Sequence, residues 1–446
     1  MNLQRTFLGF CSSFVLLLNT TIIGQTGLTN ARSFGMCGAY TALAAGVDAG
    51  RWNPANLGLR RAPKLSLHFA SFGAGAHNNA FTKSDYDLYN GAYLNARQKA
   101  GILSRIPAEG WRFNLAGEMD LVGVSLQNYA VTFGLDFASN AKLSRDFVDL
   151  ILNGNRLDQT YDFSNSTGAG AAILTLGFSY GRSLRLNLLT PYVQEFAIGG
   201  TIKYLRGLSI GEVTEASGSM TTRFDGIFGN GHAIVRQASG GNGIALDLGA
   251  AAVVNKKFSL GLSLRNFPGF INWSTNAQEN EYGVIADSLT AEQWASSHED
   301  SVIQHDSEER VIAGFSQRLP MVVHVGAAYD QGQVLLSGEI VQGLDNRLNA
   351  ATTPELRFGV EGRLFKFILP RAGLSLGGKR GASSAFGVGF TTGTFHADFA
   401  AGTWSGLLPA QGKGIGVAFG MRLELGPNAK TPPKKPLPTK RGKISR

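Results

Sequence analysis

Two pentapeptides carry the Gly-x-Ser-x-Gly spacing: Gly177-Phe178-Ser179-Tyr180-Gly181 and Gly373-Leu374-Ser375-Leu376-Gly377. In a hydrolase that spacing lifts a serine hydroxyl out of a sharp strand-to-helix turn. Here both serines lie inside runs of period two, with no such turn, so Gly and Ser read as the small face of a strand. The seven histidines (His68, His77, His232, His298, His305, His324 and His396) are scattered, and none has zinc-ligand spacing. His298, Glu299, Asp300, His305, Asp306, Glu308 and Glu309 make an acidic stretch. It reads first as a solvated loop, with a divalent cation or lipopolysaccharide-bridging ions as the alternative. Cys11 and Cys37 are the two cysteines; Cys37 has no recognisable base beside it and reads as a small apolar packing residue. No phosphate-cradling motif occurs. The expectation is a protein with no catalytic residues, no metal and no cofactor.

Chemistry therefore gives way to the elements. Of 446 residues, 43% are hydrophobic and 16% charged, and 58 are glycine. Beyond the N-terminus no apolar run approaches the ~18–20 residues of a spanning helix. Residues 1–24 read as a signal peptide: Arg5 gives the positive start, Phe7 to Leu18 the apolar stretch, and Gly24 the cleavage end. Phe10 before Cys11 is too bulky for a lipoprotein site. The net charge of +9 is misleading, because seven cations and no acid fall between Gly426 and Arg446. That Pro/Lys segment, 426–446, reads as a disordered basic tail, and the near-neutral body excludes a nucleic-acid-binding role.

Apolar residues recur at every second position. Phe258, Leu260, Leu262 and Leu264 alternate with Ser259, Gly261, Ser263 and Arg265; Ile415 to Leu425 alternate with Gly414, Gly416, Ala418, Gly420, Arg422 and Glu424. Successive side chains of a strand face opposite ways, so each segment has one oily face and one polar or empty face. Strand length, a wet-looking second face and aromatic strand ends favour a membrane barrel over a sandwich. Tyr129, Tyr180, Tyr192, Tyr204, Phe267, Trp273, Tyr329, Phe365, Phe367 and Trp404 are taken as the interfacial aromatics. About fourteen strands are expected between residues 63 and 425: an all-β, transmembrane, antiparallel barrel. Arg112–Leu126 changes phase between Leu115 and Val122, which predicts a bulge or kink.

The connections sort by parity. Ala74–Trp111, Leu143–Thr167, Glu212–Asn242 and Ser274–Leu319 are long, whereas Gln127–Asn128, Asn255–Lys257, Asp330–Gly332 and Lys366 are tight. Long loops outside and tight turns in the periplasm describe a bacterial outer-membrane barrel. Short helices are expected in the long loops: Arg145–Leu152 capped by Ser144, one started near Asn95, and one opened by Thr290 with Gln293. Phe147, Leu150, Ile151, Leu289 and Trp294 are candidates for an apolar patch above the pore. Expected partners are outer-membrane lipid and lipopolysaccharide.

Ahead of the first strand stand Ser33-Phe34-Gly35-Met36-Cys37-Gly38-Ala39-Tyr40 and Trp52-Asn53-Pro54-Ala55-Asn56. This segment resembles the N-terminal signature of the long-chain fatty-acid transporter (FadL-type) superfamily, which includes the PorV-type secretion porins and uncharacterised relatives. The resemblance implies that residues 25–62 fold inside the lumen as a hatch, with Phe34, Gly35, Gly38, Tyr40, Asn53, Pro54 and Ala55 on the substrate path. It implies passive passage of hydrophobic small molecules, fatty-acid-like or aromatic, which leave through a gap beside a kinked strand. A PorV-like adaptor with a secretion-system partner, or another interaction protein, is the alternative.

Overall fold

The computed structural model describes residues 28–427, except 165, 186–192, 291, 294–301, 345–351 and 364. The proposed signal peptide, and the tail from residue 428, lie outside the described residues. Fourteen wall positions close a ring of antiparallel pairings. In order these are β1 (Pro63–Asn78), β2 (Trp111–Leu126), β3 (Tyr129–Leu143), β5 (Thr167–Leu184), β6 (Glu195–Arg223) and β8 (Gly240–Val253). Next come β9 with β10 (Phe258–Arg265, Gly269–Thr275), then β14 with β13 (Val322–Asp330, Phe315–Arg318). The ring continues through β15 (Val334–Gly343), β16 (Glu355–Gly362), β17 (Ile368–Gly377), β18 (Ser383–Thr391) and β19 (Phe395–Trp404). It closes with β20 (Gly414–Pro427), which pairs with both β19 and β1. Closure removes every free wall edge, which hydrocarbon requires because it offers backbone groups no partner.

The expected faces are the observed ones. Leu260, Leu262, Phe358, Phe399, Ile415 and Val417 are exposed on the outside, whereas Ser259, Arg265, Glu361, Asp398 and Arg422 are buried within. Tyr129, Tyr180, Tyr204, Phe267, Tyr329, Phe365 and Phe367 are exposed. Trp273 and Trp404 correct the sequence reading: both are buried in the lumen. Trp273 shares the inward parity of Ile271 on β10 and Trp404 that of Asp398 on β19, and their rings cover glycines, Gly207 and Gly241 under Trp273, Gly75 and Gly416 under Trp404. Tyr192 lies outside the described residues. The predicted bulge is present, where pairing of β2 with β3 shifts between Asp120 and Val122.

Tight turns lie at one end of the ring, here the bottom, where Pro63 pairs with Pro427. At the top, α3 (Lys83–Tyr89) and α4 (Ala96–Arg105) follow β1, and α5 (Arg145–Asn153) follows β3. Asn95 and Gln98 form a reciprocal capping box, and the Ser144 hydroxyl accepts from the Phe147 N–H. The Thr290–Gln293 box is likewise made. Two expected long loops are sheet instead. The upper half of β6 continues past the wall and pairs with β4 (Thr160–Asp162) and β7 (Gly226–Ala238). Strand β7 pairs with β11 (Gln278–Leu289), and β11 with β12 (Ile303–Val311). Both faces of this upper sheet are largely wet, so no apolar alternation announces it.

Candidate functional site: the filled lumen and its mouth

Residues 28–62 fill the barrel. Asn30 caps α1 (Ala31–Phe34), its side chain accepting from the Ser33 N–H. Asp48 lies in the first turn of α2 (Val47–Trp52) and Arg51 in its last, which suits the helix ends. Asn53 then caps a 3-10 turn, Pro54–Gly58, with Pro54 at the position that needs no donor. The wall approaches this segment through glycine. A Cβ on Gly199 would lie 2.5 Å from the Pro54 carbonyl carbon and 2.6 Å from the Ala55 nitrogen, and one on Gly359 2.6 Å from Met36 Cβ.

The expected hatch residues are all buried in this contact. Phe34 meets Trp404 edge-on at 6.2 Å between centroids. Gly35 faces the Gly387 backbone, and Gly38, with φ +82°, faces the Arg357 side chain. Tyr40 packs at 86° on Trp52, and its hydroxyl donates to Asp48 at 2.9 Å. Asn53 Nδ2 donates to the Ala250 carbonyl at 3.0 Å, while Pro54 and Ala55 rest against Gly199 and Gly249. Cys37 lies beside the Ser383 carbonyl. Burial pushes its thiol up to about 12, against the opposing pull of Arg357.

Charges fasten the segment on opposite sides of the ring. Arg32 gives Glu361 a two-pronged contact at 2.8 and 2.9 Å. Glu361 also accepts from Arg371 at 2.8 Å; Arg371 reaches Asp398 at 2.6 Å, and Asp398 holds Arg422 at 2.6 Å. Glu339 accepts the Tyr40 and Thr41 N–H groups at 2.9 and 2.8 Å and pairs with His324. Across the lumen, Asp48 meets His68 at 3.1 Å, and Arg51 meets Asp120 at 2.7 Å and Asp136 at 3.6 Å. Such charges survive burial because each carries a partner. Glu361, Asp398 and Arg422 are legible in the sequence as ionisable side chains at inward parity within otherwise apolar strands; their pairing with the hatch is not.

Above this layer the chemistry changes. Ala116, Ala138, Ile173, Leu205, Ile210, Ala245, Ile271, Trp273 and Leu319 form an apolar cluster, with Ile312 and Phe315 against it. One step lower on the same strands stand Glu118, Asp120, Asp136, Lys203 and Asp247, all buried, with Lys203 and Asp247 paired at 2.6 Å. The Trp273 indole nitrogen and Gln317 Oε1 are buried at the cluster with no hydrogen-bond partner among the described residues.

The remaining candidates fall elsewhere. Phe147 packs at 82° on Phe163, Leu150 is half-buried and Ile151 exposed, all on α5 or next to it. Leu289 is buried at the end of β11 opposite Ile227, so it is no part of an open patch; Trp294 lies outside the described residues. The Ser179 hydroxyl pairs with Thr201 at 2.8 Å, and Thr201 donates to the Gly50 carbonyl, so Ser179 is a packing contact with the hatch. Ser375 is a buried wall residue.

Comparison with solved structures finds the same fold at low identity. The toluene transporter TodX of Pseudomonas putida superimposes with a TM-score of 0.51 at 11% identity, over 89% of this chain and 99% of that one. TbuX, the toluene transporter of Ralstonia pickettii, gives 0.50 at 13% over 91% and 100%. The monoaromatic hydrocarbon channel CymD gives 0.51 at 11% over 91% and 100%. The antiparallel barrel of fourteen strands expected from the sequence is thus the fold found. No curated protein sequence matches the chain. One family profile matches over residues 54–238 and 224–403, most of the wall and part of the hatch. The chain therefore belongs to that family, DUF5723, a family of unknown function.

Proposed function

We propose that this protein is a passive outer-membrane channel for hydrophobic small molecules, and that its apolar mouth is where they are received. The observation that carries this reading is the buried apolar cluster around Trp273, set directly above the charged layer and flanked by Phe315, on whose ring Arg236 stacks at 5.2 Å. Small-molecule sites are mostly apolar with a few placed polar groups, and the unpartnered Trp273 N–H and Gln317 Oε1 are such groups. The named cargo of TodX, TbuX and CymD, toluene and monoaromatic hydrocarbons, supports the same class of solute. The outward belt would face lipid, with lipopolysaccharide around the upper rim. The reading involves no bond-making step. Cells of a lipopolysaccharide-bearing host expressing the full chain should take up N-phenyl-1-naphthylamine or labelled oleate faster than cells with an empty vector. Equal rates for both probes would count against it.

One observation favours a second reading. The upper sheet of β4, β6, β7, β11 and β12 stands clear of the wall and exposes Phe224, Tyr282, Ile285 and Val311. A secretion adaptor or other interaction protein would use such a surface. Recovery of the intact outer-membrane complex on a tagged chain, with a stoichiometric partner lost on Phe224→Ser, would favour this alternative.

A further inference from the structure

Ring closure leaves the wall no edge, but the sheet above it stays open. Its order is β4–β6–β7–β11–β12, so β4 and β12 are its outer strands. Strand β4 has three residues, and its Asp162 N–H is taken by Asp146 Oδ2 of α5 at 2.9 Å. Strand β12 has nine residues, and every one from Gln304 to Val311 is exposed. It holds His305, Asp306, Glu308 and Glu309, which read in the sequence as part of a solvated acidic loop.

The backbone of β12 is paired on one side only. At one end of its ladder with β11 the Ile312 N–H donates to the Ala277 carbonyl, and at the other the Asp287 N–H donates to the Val302 carbonyl, both at 3.0 Å. Bonded and non-bonded pairs alternate along an antiparallel ladder, and this one runs without a register shift. Gln304, Asp306, Glu308 and Arg310 therefore turn their N–H and C=O groups toward β11. Ile303, His305, Ser307, Glu309 and Val311 turn theirs away, and no strand among the described residues receives them. Such an edge is a template for one more strand.

The side chains select which strand. Arg310 is held by Glu279 at 2.6 Å. Asp306 and Glu308, on the same face as Arg310, have no ion pair or side-chain hydrogen bond among the described residues. Glu308 stands directly opposite Glu281, and like charges so placed repel. A second copy of this chain would bring the same carboxylates to the edge and be repelled. The chain's own lysine-rich residues follow Pro427, which lies at the bottom of the ring, at the end away from this sheet. A strand with Lys or Arg at two alternate positions would set its cations beside Asp306 and Glu308 and relieve the Glu281–Glu308 repulsion. Its intervening residues would then turn their backbone groups to the free ones of β12.

We propose that β12 is a docking edge for an extended basic segment of another protein, which joins the upper sheet as a further strand. Main-chain hydrogen bonds to the odd-numbered residues hold it, and the carboxylates of Asp306 and Glu308 choose it by charge. This rests on the interaction reading of the upper sheet, to which it adds a class of partner, and does not depend on solute passage.

The probe is a fluorescein-labelled peptide, Thr-Val-Lys-Val-Lys-Val-Lys-Val-Thr, followed by anisotropy against the full chain in uncharged detergent. Replacing its lysines by glutamate should weaken binding by about tenfold or more. Replacing its two central valines by proline keeps the charge, removes two ladder donors, and should weaken binding by about the same factor. On the protein, Ser307→Pro removes an outward donor where an edge strand tolerates proline, and should weaken binding about tenfold with the urea midpoint unmoved. Asp306→Asn with Glu308→Gln should flatten the loss of binding with added salt. Failure of the parent chain to bind the lysine peptide overturns the proposal. Equal binding of the lysine and proline peptides also overturns it, because charge alone then makes the contact; this comparison decides even if Ser307→Pro does not fold. Parent self-association that Ser307→Pro abolishes would give the edge to a second copy and overturn it too. A partner of the intact outer-membrane complex lost on Phe224→Ser but kept on Ser307→Pro would leave the interaction reading standing and overturn this edge alone.

Discussion

Removing the Glu361 carboxylate should loosen the hatch more than any other single charge deletion on β16. Glu361 is 1% exposed and accepts from Arg32, Arg371 and Arg363. In Glu361→Ala, among the described residues, the fully buried Arg371 keeps Asp398 alone, and Arg32 keeps only its place 5.6 Å from the Tyr40 ring centroid. Deleting one partner of a buried pair costs about 3–5 kcal/mol, since the other charge stays buried and unpaired. At ~1.4 kcal/mol per factor of ten, the ratio of seated to released hatch falls by roughly a hundred- to a few thousand-fold. Limited trypsin digestion of the detergent-solubilised chain reads this directly, because Arg32 and Arg51 are covered by the wall and become cleavable on release. A urea titration followed by indole fluorescence gives the accompanying shift. Arg32→Met added to Glu361→Ala should return part of the loss, because the stranded charge is gone; that non-additivity marks a direct pair. A Glu361→Ala chain with parental trypsin resistance and an unmoved urea midpoint would refute the reasoning, and would mean that lumen water solvates these charges.

Three further outcomes follow from the same packing. Gly199→Val puts methyl groups on the Pro54–Ala55 backbone and should cost about 1–3 kcal/mol as overpacking, visible as raised trypsin cleavage at the buried Arg51. Trp273→Ala empties the centre of the apolar cluster over Gly207 and Gly241 and should cost about 3–5 kcal/mol in the urea titration. Cys37, with its thiol pushed up to about 12 by burial, stays protonated at pH 8; its thiolate share of roughly one in ten thousand should make it inert to iodoacetamide until the chain is unfolded.

The wall was legible in the sequence because an oily outer face and an inner face of small, polar or ionisable residues impose period two on the wall strands. Phe258 to Arg265 and Ile415 to Leu425 carry that pattern without help from other residues. Parity also holds information that the aromatic rule obscures: Trp273 and Trp404 resemble interfacial rings by type, but their positions face inward. The upper sheet escaped notice because water on both its faces removes the pattern, leaving β7, β11 and β12 to be found as pairings only.

Local chemistry fixed the hatch's short elements, with Asn30 and Asn53 as caps and Pro54 after the second. It could not say where the segment seats. Arg32 and Glu361 stand 329 residues apart, and Tyr40 and Glu339 stand 299 apart. Those pairings depend on ring closure, which brings β16 and β1 to facing sides of one lumen.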